Sequence, residues 1–223
     1  MKRIACLLTA LILLGMITEN QAQSTKLKMK TSFGDITIML YDDTPSHRDS
    51  IIKLVNQKFY DGQLFHRVIP KFMIQTGDPF SKNAQPGQML GGDVPGYALP
   101  KIPAEIKPNH YHKYGALAAA RQGDDFNPKF KSSGSQFYIV VGEVLTAKDL
   151  ETMEITGRHP KFTAEQKKIY TTIGGFPDLD MKYTVYGEVT SGMDVVEKIS
   201  KVPCGRANRP TQDVKIISIE VQK

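Results

Sequence analysis

Phe65-His66-Arg67-Val68-Ile69-Pro70-Lys71-Phe72-Met73-Ile74-Gln75-Thr76-Gly77-Asp78 reads as two short strands joined by a turn. Alternation puts Phe65, Arg67 and Ile69 on one face of the first strand; after Pro70-Lys71, Phe72 and Ile74 alternate against Met73 and Gln75. An arginine midway along an apolar strand is costly to bury unpaired. Its head therefore faces a cleft or partner, or it meets a nearby acid, and spacing alone leaves both readings open. His66 falls on the opposite strand face, where a packed, hydrogen-bonded structural histidine is expected.

Upstream, Lys26 to Phe33 alternates, with Leu27, Met29, Thr31 and Phe33 on one face. Gly34-Asp35 reads as the turn of a hairpin, and Ile36, Ile38 and Leu40 resume the pattern. Thr44-Pro45 opens a helix, Thr as N-cap and Pro at the first helical position. Its apolar stripe is Ile51, Leu54, Val55 and Phe59, and it runs out near Asp61-Gly62. Downstream, further strands are predicted over Ala104–Ile106, Gly115–Ala120, Ser135–Val141, Lys182–Gly187 and Val214–Val221, with a glycine-rich loop over Pro86–Gly96. Thr163-Ala164-Glu165-Gln166 is a capping box starting a helix to Tyr170, and another helix covers Met193–Ser200. Many short strands with a few isolated helices predict a mainly β protein, a closed β-barrel with peripheral helices.

The chain has 223 residues, 40% hydrophobic and 23% charged, which suits a globular protein with a real core. Its net charge of +6 is scattered among acids instead of gathered in a stripe, which argues against nucleic acid as a partner. Lys2 and Arg3, the apolar run from Ile4 to Ile17 and the polar stretch Glu19-Asn20-Gln21-Ala22 read as a signal peptide over residues 1–22, cleaved after Ala22. That run of about 14 residues is short of the roughly 20 that a spanning helix needs. Export to a periplasm-like space is expected, with no membrane attachment after cleavage. Of the two cysteines only Cys204 then remains, so no internal disulfide forms, and with no histidine partner in its turn a catalytic thiol is not expected. His110 and His112, flanking Tyr111, read as solvated loop residues, because no third metal ligand of suitable type lies close in sequence.

The opening stretch resembles the cyclophilin signature F-H-R-[IV]-I-P-x-F-M-x-Q-x-G-D at every fixed position. Three further segments resemble the family's in the family's order: Gly115 to Arg121, Ser133-Gly134-Ser135-Gln136-Phe137-Tyr138-Ile139, and Leu179 to Gly187. The chain is therefore identified as similar to bacterial exported members of the cyclophilin-type peptidyl-prolyl cis-trans isomerases. The resemblance implies a closed eight-stranded antiparallel barrel and an activity on X-Pro bonds that needs no metal, nucleotide or other cofactor. It implies Arg67 as the catalytic residue, with Phe72, Met73, Tyr138 and Leu179 forming a proline pocket. Gln75, Ala120, Arg121 and Gln136 would line the groove for the peptide backbone, and Tyr183 would close the rim.

The expected partners are proline-containing peptides and unfolded exported proteins, met by a monomer. A non-catalytic proline-peptide binding module or holdase is the rival, and the arginine separates them, since a pure binder needs the pocket but not the guanidinium. Residues from about 143 to 175 exceed what a barrel needs between its segments; they read as a surface decoration, with a lid or client-docking element as the alternative. The chain also departs from the family: it has no tryptophan, Asp178 stands where many eukaryotic members carry Trp, Tyr183 replaces a rim His, and Tyr138 a common Phe. Catalysis is expected to survive these changes while cyclosporin binds weakly; nanomolar inhibition in an isomerase assay would overturn that expectation.

Overall fold

A computed structural model describes residues 25–92 and 99–222. The expected leader, residues 1–22, lies outside them, as does the end of the glycine-rich loop beyond residue 92. Strands β1 (Lys26–Thr31) and β2 (Gly34–Leu40) form the predicted hairpin, with Leu27 opposite Ile38 and Met29 opposite Ile36. The reversal falls on Ser32-Phe33, two residues before the expected turn. Thr31 fixes it there: its hydroxyl donates to the Gly34 carbonyl at 2.8 Å and accepts from the Phe33 amide at 3.1 Å. Phe33 is consequently exposed and leaves the buried face of Leu27, Met29 and Thr31.

Strands β3 (Arg67–Ile69), β4 (Met73–Thr76), β5 (Ala116–Ala119), β6 (Phe137–Val140), β7 (Val185–Ser191) and β8 (Ile216–Gln222) complete an antiparallel sheet of order β3-β4-β6-β5-β7-β2-β1-β8. The ladder is not closed, contrary to the expected barrel: it curls into an open half-barrel whose two ends are β3 and β8. The residues before β3 bridge the gap instead. The amides of Gly62 and Phe65 donate to Ile216 and Val214 carbonyls, and the Ile216 amide donates to Gln63. The strand expected at Ala104–Ile106 is absent among the described residues; nearby, Ile102 makes only an isolated bridge to Ser132.

Period-two alternation gives the sheet two apolar faces. Val68, Ile74, Leu117, Ala119, Phe137 and Ile139 point inward with Leu27, Met29, Ile36 and Ile38. Helix α1 (Pro45–Asn56) packs against β8, and helix α4 (Met193–Ser200) against β2, β3 and β4. They add Ile51, Leu54, Val55, Val195, Val196 and Ile199 to that core, and each such burial contributes roughly 1.5–3 kcal/mol. Met73, Ala116, Ala118, Tyr138, Val140 and Val185 form a second cluster on the outer face, which carries the candidate site. Phe65 belongs to the inner core and Ile69 to the outer cluster, so the expected shared face of Phe65, Arg67 and Ile69 breaks where regular strand begins, at residue 67.

Pro45 starts α1 as expected, but Thr44 gives no side-chain cap. Glu105 caps from a distance: its carboxylate accepts from the Ser46 and His47 amides, each at 3.0 Å, and from His47 Nδ1 at 2.6 Å. The segment expected as a strand thus supplies an anion to a helix N-terminus.

Within residues 143–175, helices α2 (Ala147–Ile155) and α3 (Ala164–Thr172) each begin with a capping box, Thr146 with Asp149 and Thr163 with Gln166. They share a small core of Leu150, Met153, Phe162 and Tyr170. Glu143 and Gly175 exchange main-chain hydrogen bonds at the base, at 3.2 and 3.0 Å. Gly175 has φ +149°, and a β-carbon there would lie 2.3 Å from the His112 carbonyl, so only glycine fits. Among the described residues no helix is long and apolar enough to cross a membrane.

Candidate active site

The outer faces of β3, β4, β5 and β6 line a cleft of about 440 Å³. Around it stand Arg67, Phe72, Met73, Gln75, Ala120, Arg121, Tyr138, Leu179 and Tyr183, all the expected site residues except Gln136. Register brings them together. Arg67 pairs with Gln75 across β3 and β4, Gln75 with Tyr138 across β4 and β6, and Tyr138 with Ala118 across β6 and β5. Side chains opposite one another on antiparallel strands share a face, so residues far apart in sequence meet on one wall. Gly77, just past β4, has φ +93°, and a β-carbon there would strike the Ser135 carbonyl at 2.2 Å.

Arg67 is half-buried, and among the described residues it meets no carboxylate. Its Nη1 donates to Gln75 Oε1 at 3.1 Å, and its guanidinium carbon lies 5.7 Å from the centre of the Phe72 ring. Among the described residues, the ion-pair alternative left open by the sequence does not form. Gln75 Nε2 in turn donates to Gln136 Oε1 at 3.0 Å, and Gln136 Nε2 to the Gly91 carbonyl at 3.2 Å. Gln136 thus stands behind the wall, and both ends of the Gln75 amide are engaged in fixing the arginine.

Phe72, Met73, Tyr138 and Leu179 make an apolar hollow beside that guanidinium, continuous with the outer cluster. Arg121 acts as a prop: its guanidinium lies 4.4 Å from the Tyr183 ring and 4.6 Å from that of Phe130, pairs with Asp124 at 2.7 Å and donates to the Lys182 carbonyl. Tyr183 meets Tyr138 edge to face at 6.1 Å.

Behind Tyr138 lies a buried polar network. The Tyr138 hydroxyl is 3.0 Å from His112 Nε2, and His112 Nδ1 and amide reach Asp180 Oδ1 at 3.1 and 2.8 Å. A carboxylate only accepts, so Nδ1 carries a proton and, in the neutral ring, Nε2 accepts the phenolic hydrogen. Asp180 Oδ2 accepts from the Tyr170 hydroxyl at 2.6 Å and from Gln166 Nε2 at 3.4 Å, with His159 Nε2 at 3.6 Å. Burial alone would raise the Asp180 carboxyl, but hydrogen bonds from His112, His159 and Tyr170 hold it far below the usual range. Burial keeps the Tyr138 phenol protonated. Neither loop histidine is solvated as expected: His112 is fully buried here, and His110 stacks on Tyr41 and pairs with Asp43 at 2.8 Å. The sequence hides this because Asp180 lies 68 residues from His112.

His66 is buried beside Arg67, but the expected hydrogen bonds are missing: neither ring nitrogen has a partner among the described residues. Burial, reinforced by Arg67 and Arg209 and opposed by Asp78 and the nearby Gln136 side chain, pushes its pKa down to about 4. The ring is neutral at pH 7, and since its folded value is depressed, its contribution to stability is complete above the unfolded value of about 6.5 and lost as pH falls through about 4. NMR titration of the ring should give a midpoint near 4; a midpoint above 6 would mean that it finds water or a partner.

Sequence reasoning missed one wall, residues 206–209. Arg206, Ala207, Asn208 and Arg209 line the cleft beyond His66, opposite Gln88, Met89 and Leu90. Ala207 and Asn208 both adopt left-handed φ, 57° and 58°, which turns the segment toward the cleft. Arg209 joins the two sides by donating to the Gln85 and Gln88 carbonyls at 2.9 and 2.6 Å. No periodicity or motif marks these residues, because the loop reaches the site only through the fold.

The sequence model of the family described as cyclophilin type peptidyl-prolyl cis-trans isomerase/CLD matches residues 26–221. A Staphylococcus haemolyticus protein named as a peptidyl-prolyl cis-trans isomerase is 32% identical over 205 residues, 92% of this chain and 94% of its own length. A Staphylococcus aureus protein of the same name is 32% identical over 206 residues, 92% of this chain and 95% of its own. The crystal structure of a Cryptosporidium parvum cyclophilin type isomerase superposes with a TM-score of 0.63 at 20% identity, covering 90% of this chain and 98% of that one. The chain belongs to the cyclophilin-type peptidyl-prolyl cis-trans isomerase family. It is an isomerase, and its reaction is rotation about X-Pro peptide bonds.

Proposed function

We propose that Arg67 turns the prolyl bond while Phe72, Met73, Tyr138 and Leu179 grip the ring. Amide resonance sets a barrier of about 18–20 kcal/mol, so uncatalysed X-Pro exchange takes tens to hundreds of seconds. In the twisted state the prolyl nitrogen becomes pyramidal and regains a lone pair. A guanidinium aimed at it donates a hydrogen bond that the planar ground state accepts poorly, which is differential stabilisation of the transition state. The apolar hollow removes water that would stabilise the planar, polar amide. Gln75 and Gln136 orient the arginine, Arg121 holds Tyr183 at the rim, and Ala120 leaves room for the peptide backbone. No base, nucleophile, metal or other cofactor enters this scheme.

The observation that carries the reading is a guanidinium with no carboxylate partner among the described residues, held at the mouth of an apolar hollow. A Cryptosporidium parvum relative was crystallised in the presence of the dipeptide Ala-Pro, which supports proline-containing peptides as the ligands of this cleft. Asp178 engages Arg158 of the 143–175 segment at 2.6 and 3.0 Å where eukaryotic members carry Trp, in keeping with weak cyclosporin binding. The clients we propose are unfolded exported proteins, reached by a periplasmic monomer after removal of residues 1–22. Residues 23–223 form the isomerase domain, and 143–175 is a decoration that braces the Leu179-Asp180 turn. The deciding experiment is a protease-coupled tetrapeptide assay on wild type and Arg67→Ala; equal rates would favour the holdase.

A further inference from the structure

The cleft is lined by four arginines, and among the described residues that line it there is no aspartate or glutamate. The four are not equivalent. Arg121 is neutralised by Asp124 at 2.7 Å and clamped between two rings. Arg209 is buried, held by two main-chain carbonyls and faced by Asp213 at 3.5 Å. Among the described residues Arg67 has only the neutral Gln75 and the Phe72 ring. Arg206 is exposed on the rim, and its side chain has no ion pair or hydrogen bond among the described residues. His66 lines the same cleft and is uncharged at neutral pH. Among the described residues, the cleft therefore carries two positive charges with no acid facing them, one where the proline turns and one along the wall. The surface arginines elsewhere among the described residues are paired with acids: Arg48 with Asp42 and Asp49, Arg158 with Asp178.

We propose that this cleft selects acidic prolyl segments: Arg206 receives the carboxylate of an Asp or Glu flanking the proline that Arg67 turns. The assignment rests on the isomerase reading of Arg67 and adds the substrate class that the apolar hollow leaves open, since the hollow recognises only the ring. A guanidinium presents its donors as a planar fork that fits a carboxylate with two parallel hydrogen bonds. Arg206 keeps its fork free for that use. The pair forms at the rim, in contact with water, so the gain is modest and salt-sensitive.

The test uses blocked pentapeptides with a central proline, carrying Glu or Gln at each of the two positions on either side. NMR reads both affinity and cis–trans exchange. At one or more positions Glu should bind about two- to fivefold tighter than Gln and show a matching rise in kcat/KM. That advantage should shrink in R206Q, reverse in R206E, return in R206K and fade in 1 M salt. A Glu-to-Gln ratio of one at every position, or a ratio unchanged in R206Q, overturns the proposal. If neither peptide is turned over yet Glu still binds better through Arg206, charge selection stands and the isomerase reading of Arg67 falls.

Discussion

Replacing Arg67 by Ala should lower kcat/KM in the tetrapeptide assay by about 10²–10³-fold, the range for losing one donor aimed at a developing lone pair or charge. Arg67 is half-exposed and its only side-chain hydrogen bond among the described residues is to Gln75, so urea unfolding of the variant should stay within about 1 kcal/mol of wild type. Arg67→Lys keeps the charge but loses the planar fork that Gln75 steadies, and should recover only part of the rate. Affinity for a proline peptide should change much less than turnover, because the hollow that grips the ring is untouched. That split is the signature of a group acting in the transition state. An Arg67→Ala enzyme as fast as wild type would remove the guanidinium from the mechanism.

The largest effect on stability is expected at Asp180. Asp180→Ala leaves the Nδ1 and amide hydrogens of His112, the Tyr170 hydroxyl and the Gln166 amide facing an empty acceptor site in the interior. Breaking a buried charged contact costs about 3–5 kcal/mol, and urea denaturation should show a loss of that order. A loss below 1 kcal/mol would mean that water replaces the carboxylate. Asp180→Asn retains one acceptor oxygen and should lose less. The folded carboxyl lies far below its usual range, so its contribution is complete above the unfolded value of about 3.9 and drains away as pH falls below that. His159 works in the opposite direction. Burial would lower it, but Asp180 and the Pro160 carbonyl raise it, so its share is complete below about 6.5 and lost as pH rises through the folded value. Tyr138 leans on this network through His112, so the same variant should also lose activity.

The parts legible in sequence were those with a short period or a local signal. Leu27 and Met29 sit inside as alternation requires, and the Thr163-to-Gln166 capping box starts α3. The signature arginine and the pocket residues around it meet in one cleft, because their spacing along strands fixes which face they occupy. What escaped depends on partners distant in the chain. Glu105 looked like part of a strand because its partners, the Ser46 and His47 amides, lie almost 60 residues away. His112 looked like a loop residue because nothing near it announces Asp180. The Gly34-Asp35 turn failed for a subtler reason: the glycine suits a reversal, but the Thr31 hydroxyl makes a tighter one two residues earlier. Closure could not be read at all, since whether eight strands join into a ring depends on how the first and last edges lie.

Those two edges have a consequence for how the molecule yields. Every other pair of neighbours in the sheet shares a ladder, bulged at β1–β8, β2–β7 and β5–β7; between β3 and β8 the described residues show only the main-chain links of Gly62, Gln63 and Phe65 to residues 214–216. A curled sheet under thermal load unfastens where it is stitched most sparsely. Arg67 is two residues from the last stitch, so brief parting there would slacken the arginine's strand while the rest of the core stayed intact. The arginine proposed to turn the prolyl bond thus sits beside the open join of the sheet.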